Sequence, residues 1–111
     1  MRLLNARTGS VVASVVELAV TRADRRRGLL GRDAFDLSAA LILVPCAAVH
    51  TVFMRFPIDV VFLDRDGRVR TIVRNLQPWR IAASPRAYAA VELAGGVERD
   101  LMPGDPLYLE S

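Results

Sequence analysis

At 111 residues the chain is one domain's worth of polypeptide, residues 1–111, with material for a single modest core. Its 52% hydrophobic content and positive mean hydropathy exclude long disordered stretches, while its apolar runs, such as Ala39 to Val44 and Val60 to Leu63, fall far short of the ~20 residues a membrane-spanning helix needs. A net charge of +3, with twelve acids interspersed among fifteen arginines and no lysine, is too mild to mark a nucleic-acid binder. The all-arginine usage follows as readily from a GC-rich genome as from guanidinium chemistry.

Leu3 to Ala6, Arg7-Thr8-Gly9-Ser10 and Val11 to Val20 read as a hairpin, with β-branched arms around turn residues. Thr21 with Asp24 three residues on resembles a capping box, and Gly31 supplies a C-cap, so residues 22 to 30 form one short helix. Its Leu29 and Leu30 turn inward. Arg25-Arg26-Arg27 is either a solvated face or a contact for phosphate or anionic lipid, and no aromatic residue interleaves it for base stacking.

Ala40 to Val44 is a core strand stopped by Pro45, and Ile58 to Leu63 is another opened by Pro57. His50 to Phe56, between them, is a connection at a strand end, where concave sites form. Asp64-Arg65-Asp66-Gly67 reads as a hairpin with Gly67 at positive φ, since the later glutamate of a calcium loop is missing. In the strand that follows, Arg68, Arg70 and Arg74 share one face, and Val69, Thr71 and Val73 the other. Leu76 to Arg80 breaks that strand, Ala87 to Ala94 gives another, and Pro103 to Pro106 turns into a last strand, Leu107 to Leu109.

Six motifs in order give the chain a relative. Gly28-Leu29-Leu30-Gly31-Arg32, Leu43-Val44-Pro45-Cys46, the block His50-Thr51-Val52-Phe53-Met54-Arg55-Phe56-Pro57-Ile58-Asp59, Leu63-Asp64-Arg65-Asp66-Gly67, Pro78-Trp79-Arg80 and Gly104-Asp105 together resemble the prokaryotic family catalogued as domain of unknown function 192. Leu30 departs from the usual methionine, and Glu92-Leu93-Ala94-Gly95-Gly96 from a Glu-Leu-Pro-Ala-Gly pattern. The resemblance implies a mainly β, small barrel-like or jelly-roll-like antiparallel domain and brings no activity with it. Met1-Arg2-Leu3-Leu4 opens like a signal peptide, but Asn5, Arg7, Thr8, Gly9 and Ser10 interrupt it. A cytoplasmic location is therefore expected of the chain as written, with an extracytoplasmic one open if an upstream segment was removed, because many members of that family are exported.

His50, the only histidine, is the candidate acid or base, with Asp59 to orient it. No nucleophile motif accompanies them, so a hydrolase-like enzyme using His50 and Asp59 is the second reading. Paired carboxylates of Asp59 with Asp64 or Glu92 are a weaker version. The first reading is a pocket lined by His50, Thr51, Met54, Arg55, Trp79 and Arg80, holding a small polar or anionic ligand by stacking and forked hydrogen bonds. Each residue also has a plain alternative: His50 and Thr51 bonded to turn carbonyls, Asp59 capping backbone N–H groups, Met54 filling the core, Trp79 as a lid. A partner-binding scaffold without a small-molecule site is the third reading. One cysteine, Cys46, excludes an internal disulfide, and with His50 it supplies only two ligands, so neither metal nor cofactor is expected.

Overall fold

The first hairpin forms as its turn chemistry predicts. In the computed structural model, which describes residues 1–111, Arg2–Asn5 (β1) runs antiparallel to Val11–Ala13 (β2), with Gly9 at φ 75° in the turn. The second arm then divides. At Ser14, whose amide donates to the Ser38 carbonyl at 2.8 Å, the chain leaves β2 and enters Val15–Ala19 (β3), which joins a different sheet. Arg22–Arg27 (α1) follows, and Ala39–Leu43 (β4) returns parallel to β3. A parallel return needs a crossover, and α1 with the loop after it supplies one.

The remaining strands are Ala48–His50 (β5), Ile58–Leu63 (β6), Val69–Leu76 (β7), Ile81–Ala83 (β8), Ala89–Ala94 (β9) and Leu107–Glu110 (β10). They form a five-stranded sheet in the order β3-β4-β9-β6-β7, a three-stranded sheet β10-β1-β2 and a two-stranded ribbon β5-β8. Every pair except β3 with β4 is antiparallel. The fold is mainly β with one short helix, as expected. The five-stranded sheet keeps two edges, β3 and β7, so the architecture is barrel-like without closing.

Strands β4, β6 and β9 are buried along their whole length because the central sheet is covered on both faces. One face, carrying Ile42, Val61, Val91 and Leu93, packs on Leu3, Ala13 and Leu107 of the small sheet. The other, carrying Leu41, Leu43, Val60 and Phe62, is covered by Leu29 after the helix and by Val49, Met54 and Ala82 from the ribbon side. A strand buried on both faces reads as a continuous apolar run, which explains the sequence pattern of these three.

Strand β7 departs from the clean alternation expected of it. The β6–β7 register slips between Phe62 and Leu63, and again between Ile58 and Val60. Each bulge reverses the faces beyond it, so Val69 and Ile72 reach the small-sheet core while Val73 reaches the other. Gly67 has the predicted positive φ, 82°, and a Cβ there would lie 2.8 Å from the Leu107 carbonyl oxygen. Glycine is needed at that turn twice over, for conformation and for space.

Candidate functional site

The site grows from the end of the helix. Thr21 Oγ1 accepts from the Asp24 amide at 3.0 Å, fixing the start of α1, and the helix stops at Gly28, φ 47°, three residues before the Gly31 expected to cap it. Gly28 ends it because the amide of this residue closes the last turn on the Asp24 carbonyl while its own backbone already turns left-handed. Leu29 is thereby driven into the core and Leu30 is left half-buried.

Beneath Gly28 lies Glu92, in the middle of β9. A Cβ on Gly28 would lie 3.5 Å from Glu92 Oε1, in ordinary van der Waals contact, so Gly28 sits directly over the carboxyl. Glu92 is only 3% exposed, and its Oε1 has no hydrogen-bond partner. Burial pushes this carboxyl up to about 7, with the pull of Arg32 opposing. Arg32 itself is committed to Glu17 through paired bonds of 2.8 and 2.9 Å.

Glu92 opens into a cleft of about 350 Å³, bounded by α1 on one side and by Pro45 to His50 and Met54 on the other. Arg22, Arg25, Arg26 and Arg27 form the rim. Arg27 bonds Asp24 and Arg25 bonds the Val20 carbonyl, while Arg22 and Arg26 have no carboxylate partner. Cys46 also lines the wall; its thiol donates to the Ala48 carbonyl at 3.2 Å, and burial raises its pKa, so it stays a thiol. No three His, Cys, Asp or Glu side chains gather closely enough to hold a metal ion.

The six residues of the expected pocket part company. His50 and Met54 line the cleft; Thr51, Arg55, Trp79 and Arg80 do not. His50 is exposed at the rim, its Nδ1 accepting from the Val52 amide at 3.3 Å. Arg55 points away to an ion pair with Asp33. Thr51 is fully buried as a clamp between two turns: Oγ1 accepts from the Arg80 amide at 2.9 Å and donates to the Gln77 carbonyl at 2.6 Å. Thr51→Val should therefore cost about 1–3 kcal/mol in urea unfolding, since it strands a buried donor and acceptor together. A loss below about 0.5 kcal/mol would deny Thr51 that role.

Asp59 lies elsewhere. Residues alternate across a sheet, and Asp59, opposite Leu93, faces the small-sheet side, whereas Glu92, opposite Val60, faces the helix side. The Asp59 carboxylate accepts from the Asn75 amide and from Arg99 Nη1, both at 2.7 Å, in a second cleft with Arg74 and Glu98. Neither a His50–Asp59 pair nor an Asp59–Glu92 pair is assembled, because the central sheet stands between them. Asp64 is spent in its own turn, accepting from the Asp66 and Arg68 amides.

Sequence reasoning missed Glu92 and the helical arginines as partners in one site. A signal was present: a single carboxylate inside the apolar run Ala89 to Ala94 is costly to bury and asks for a reason.

Two facing sheets, with a helix-roofed, arginine-rimmed cleft on the outer face of the larger one, make up a small, mainly β domain. The chain belongs to the family domain of unknown function 192, described as "Uncharacterized ACR", whose model matches residues 4–108. A protein of unknown function from Novosphingobium aromaticivorans DSM 12444 has the same fold, with a TM-score of 0.85 at 24% identity over 98% of this chain and 84% of that one. A Sinorhizobium meliloti 1021 protein described as a candidate transcription regulator is similar at 29% identity and a TM-score of 0.82, over 96% of this chain and 89% of that one. No curated protein matches the chain. No helix is long and apolar enough to cross a membrane.

Proposed function

We propose that the domain binds a small anionic ligand, a hydroxycarboxylate or sugar phosphate in chemical class, in the cleft between α1 and the His50 block. The observation that carries this reading is the unpartnered, buried Oε1 of Glu92 at the floor of a cleft rimmed by guanidinium groups. A buried carboxyl without a partner is costly, and a ligand hydroxyl or anionic oxygen would satisfy it. Arg22 and Arg26 supply forked donors for the ligand's negative charge, and His50 a further one at the mouth. Arg55, Trp79 and Arg80 take no part in this cleft.

The test is a thermal-shift screen of hydroxycarboxylates and sugar phosphates, followed by calorimetry on each ligand found. A ligand at a hundredfold excess over Kd stabilises the native state by about 2.7 kcal/mol. Below about pH 7, where Glu92 holds its proton, the ligand's affinity should fall roughly tenfold or more in Arg26→Ala and in Glu92→Ala, each removing a charged or polar partner. Absence of any stabilising compound in those classes, or affinity indifferent to both substitutions, would overturn the reading.

A further inference from the structure

Two turns meet at one corner of the molecule, and each holds a bulky aromatic residue in the left-handed region: Phe53 at φ 65° and Trp79 at φ 68°. Large side chains rarely adopt that conformation unless neighbouring bonds impose it. Here Thr51 imposes it. Its amide donates to the Arg80 carbonyl at 2.9 Å, and its carbonyl accepts from the Trp79 and Met54 amides, both at 3.0 Å. The rings end 4.7 Å apart, centre to centre, at 60° to one another.

They are nevertheless exposed. Phe53 keeps 72% of its surface in water, Trp79 57%, and neighbouring Ile81 74%, the highest value of any large apolar side chain in the molecule. None of the three lines the cleft under α1 or the two others of substantial size. The corner is a projection, which suits a deformable partner better than a folded chain that would need a groove. Rings inclined at 60° also offer no common plane for stacking a sugar.

The chain segments that meet at this tip, Thr51 to Pro57 and Leu76 to Ile81, contain Arg55 and Arg80 and not one acid. Arg55 is paired with Asp33, but the Arg80 guanidinium meets only the Trp79 carbonyl. Aromatic and aliphatic tips beside arginines match the boundary of an anionic bilayer, where rings enter the headgroup layer and guanidinium groups meet lipid phosphates.

We propose that the Phe53–Trp79–Ile81 corner, with Arg80, docks the domain on an anionic lipid surface. This surface is separate from the cleft and stands whether or not the cleft is filled. Trp79 is the sole tryptophan, so the unmodified chain reports on its own docking. The experiment titrates it with vesicles of phosphatidylcholine alone and of phosphatidylcholine mixed with phosphatidylglycerol, at low and high salt, reading tryptophan emission and co-sedimentation. Emission should move to the blue and protein should sediment with the anionic vesicles only, with added salt weakening both effects.

Arg80→Glu should weaken partitioning by about fivefold or more, and Phe53→Asn, which suits the left-handed backbone, by roughly tenfold. Both side chains are exposed, so the melting temperature of either variant should match that of the parent and show that folding is intact. Unchanged emission and no sedimentation with anionic vesicles would overturn the proposal. So would partitioning retained in both variants, or an emission shift seen only on self-association or only with soluble oligosaccharides.

Discussion

Asp59→Ala is expected to lower the unfolding free energy by about 3–5 kcal/mol, the cost of leaving one half of a buried ion pair without the other. Both side chains are largely buried, and Arg99 is held on its other side by the Ala94 carbonyl at 3.0 Å, which fixes the guanidinium where the carboxylate was. Burial already depresses the pKa of Arg99 against the pull of Asp59; without the carboxylate that penalty stands uncompensated. The Asn75 amide loses its acceptor as well, at a residue with φ 54°. Asp59→Asn keeps an acceptor and should lose only about 1–3 kcal/mol. Urea denaturation of Asp59→Ala, Arg99→Leu and the double variant provides the measurement. The double variant should recover part of the single loss, since no charge is then stranded. Stability that stays level or rises in Asp59→Ala would instead mark Asp59 as held in readiness for a ligand.

Glu92→Gln is expected to act oppositely, and only above acid pH. The folded-state carboxyl of Glu92 lies near 7 and its ordinary value is 4.5, so the native state binds the proton more tightly than the unfolded chain. A raised acid contributes stability that is complete below 4.5 and is lost as pH rises through 7. Between pH 4 and pH 8 the advantage of Glu92→Gln over the parent should therefore grow by about 3 kcal/mol. Asp105 has the reverse sign. Bonds from Arg7, the Met102 amide and Asn5 hold its carboxyl down at about 2, against an ordinary 3.8, so its contribution disappears as pH falls from 3.8 toward 2. The combined contribution of these two groups peaks near pH 4 to 5, where Asp105 is ionised and Glu92 still holds its proton. Chemical denaturation of parent and variant across that range decides it; parallel curves would remove Glu92 from the floor of the cleft as an uncompensated acid. The same sign carries to the ligand, because a protonated Glu92 donates to an anion and an ionised one repels it. Affinity for an anionic ligand should fall as pH rises through 7.

The parts of the fold legible in the sequence are those where one local rule acts alone. Ala40 to Val44 and Ile58 to Leu63 are buried on both faces, so their uninterrupted apolar character survives any detail of packing. The Thr21 cap and Gly67 are stereochemical requirements written into single residues. The ribbon β5-β8 was not legible, because three-residue strands have no measurable period and exist only through each other. Nor was the split at Ser14, where nothing in the run Val11 to Val20 announces that its halves pair with different partners. His50 and Met54, singled out by their place near a strand end, line the cleft under α1. In the sequence Glu92 stands out only as part of a family motif and of a weak carboxylate pair. Its neighbourhood with α1 depends on contacts more than sixty residues apart in sequence, which no local pattern encodes.

Placing Asp59 and Glu92 on opposite sides of one sheet also gives the strands a way to detect misalignment. Moving β6 by one residue against β9 would turn Asp59 away from Arg99 and toward the greasy underside of the helix; moving β9 would thrust Glu92 among Leu3, Ala13 and Leu107. Valines and leucines on both faces would tolerate such a slip almost indifferently. Two acids with incompatible destinations would not, and they serve as proofreaders of alignment in a stretch whose aliphatic side chains are nearly interchangeable.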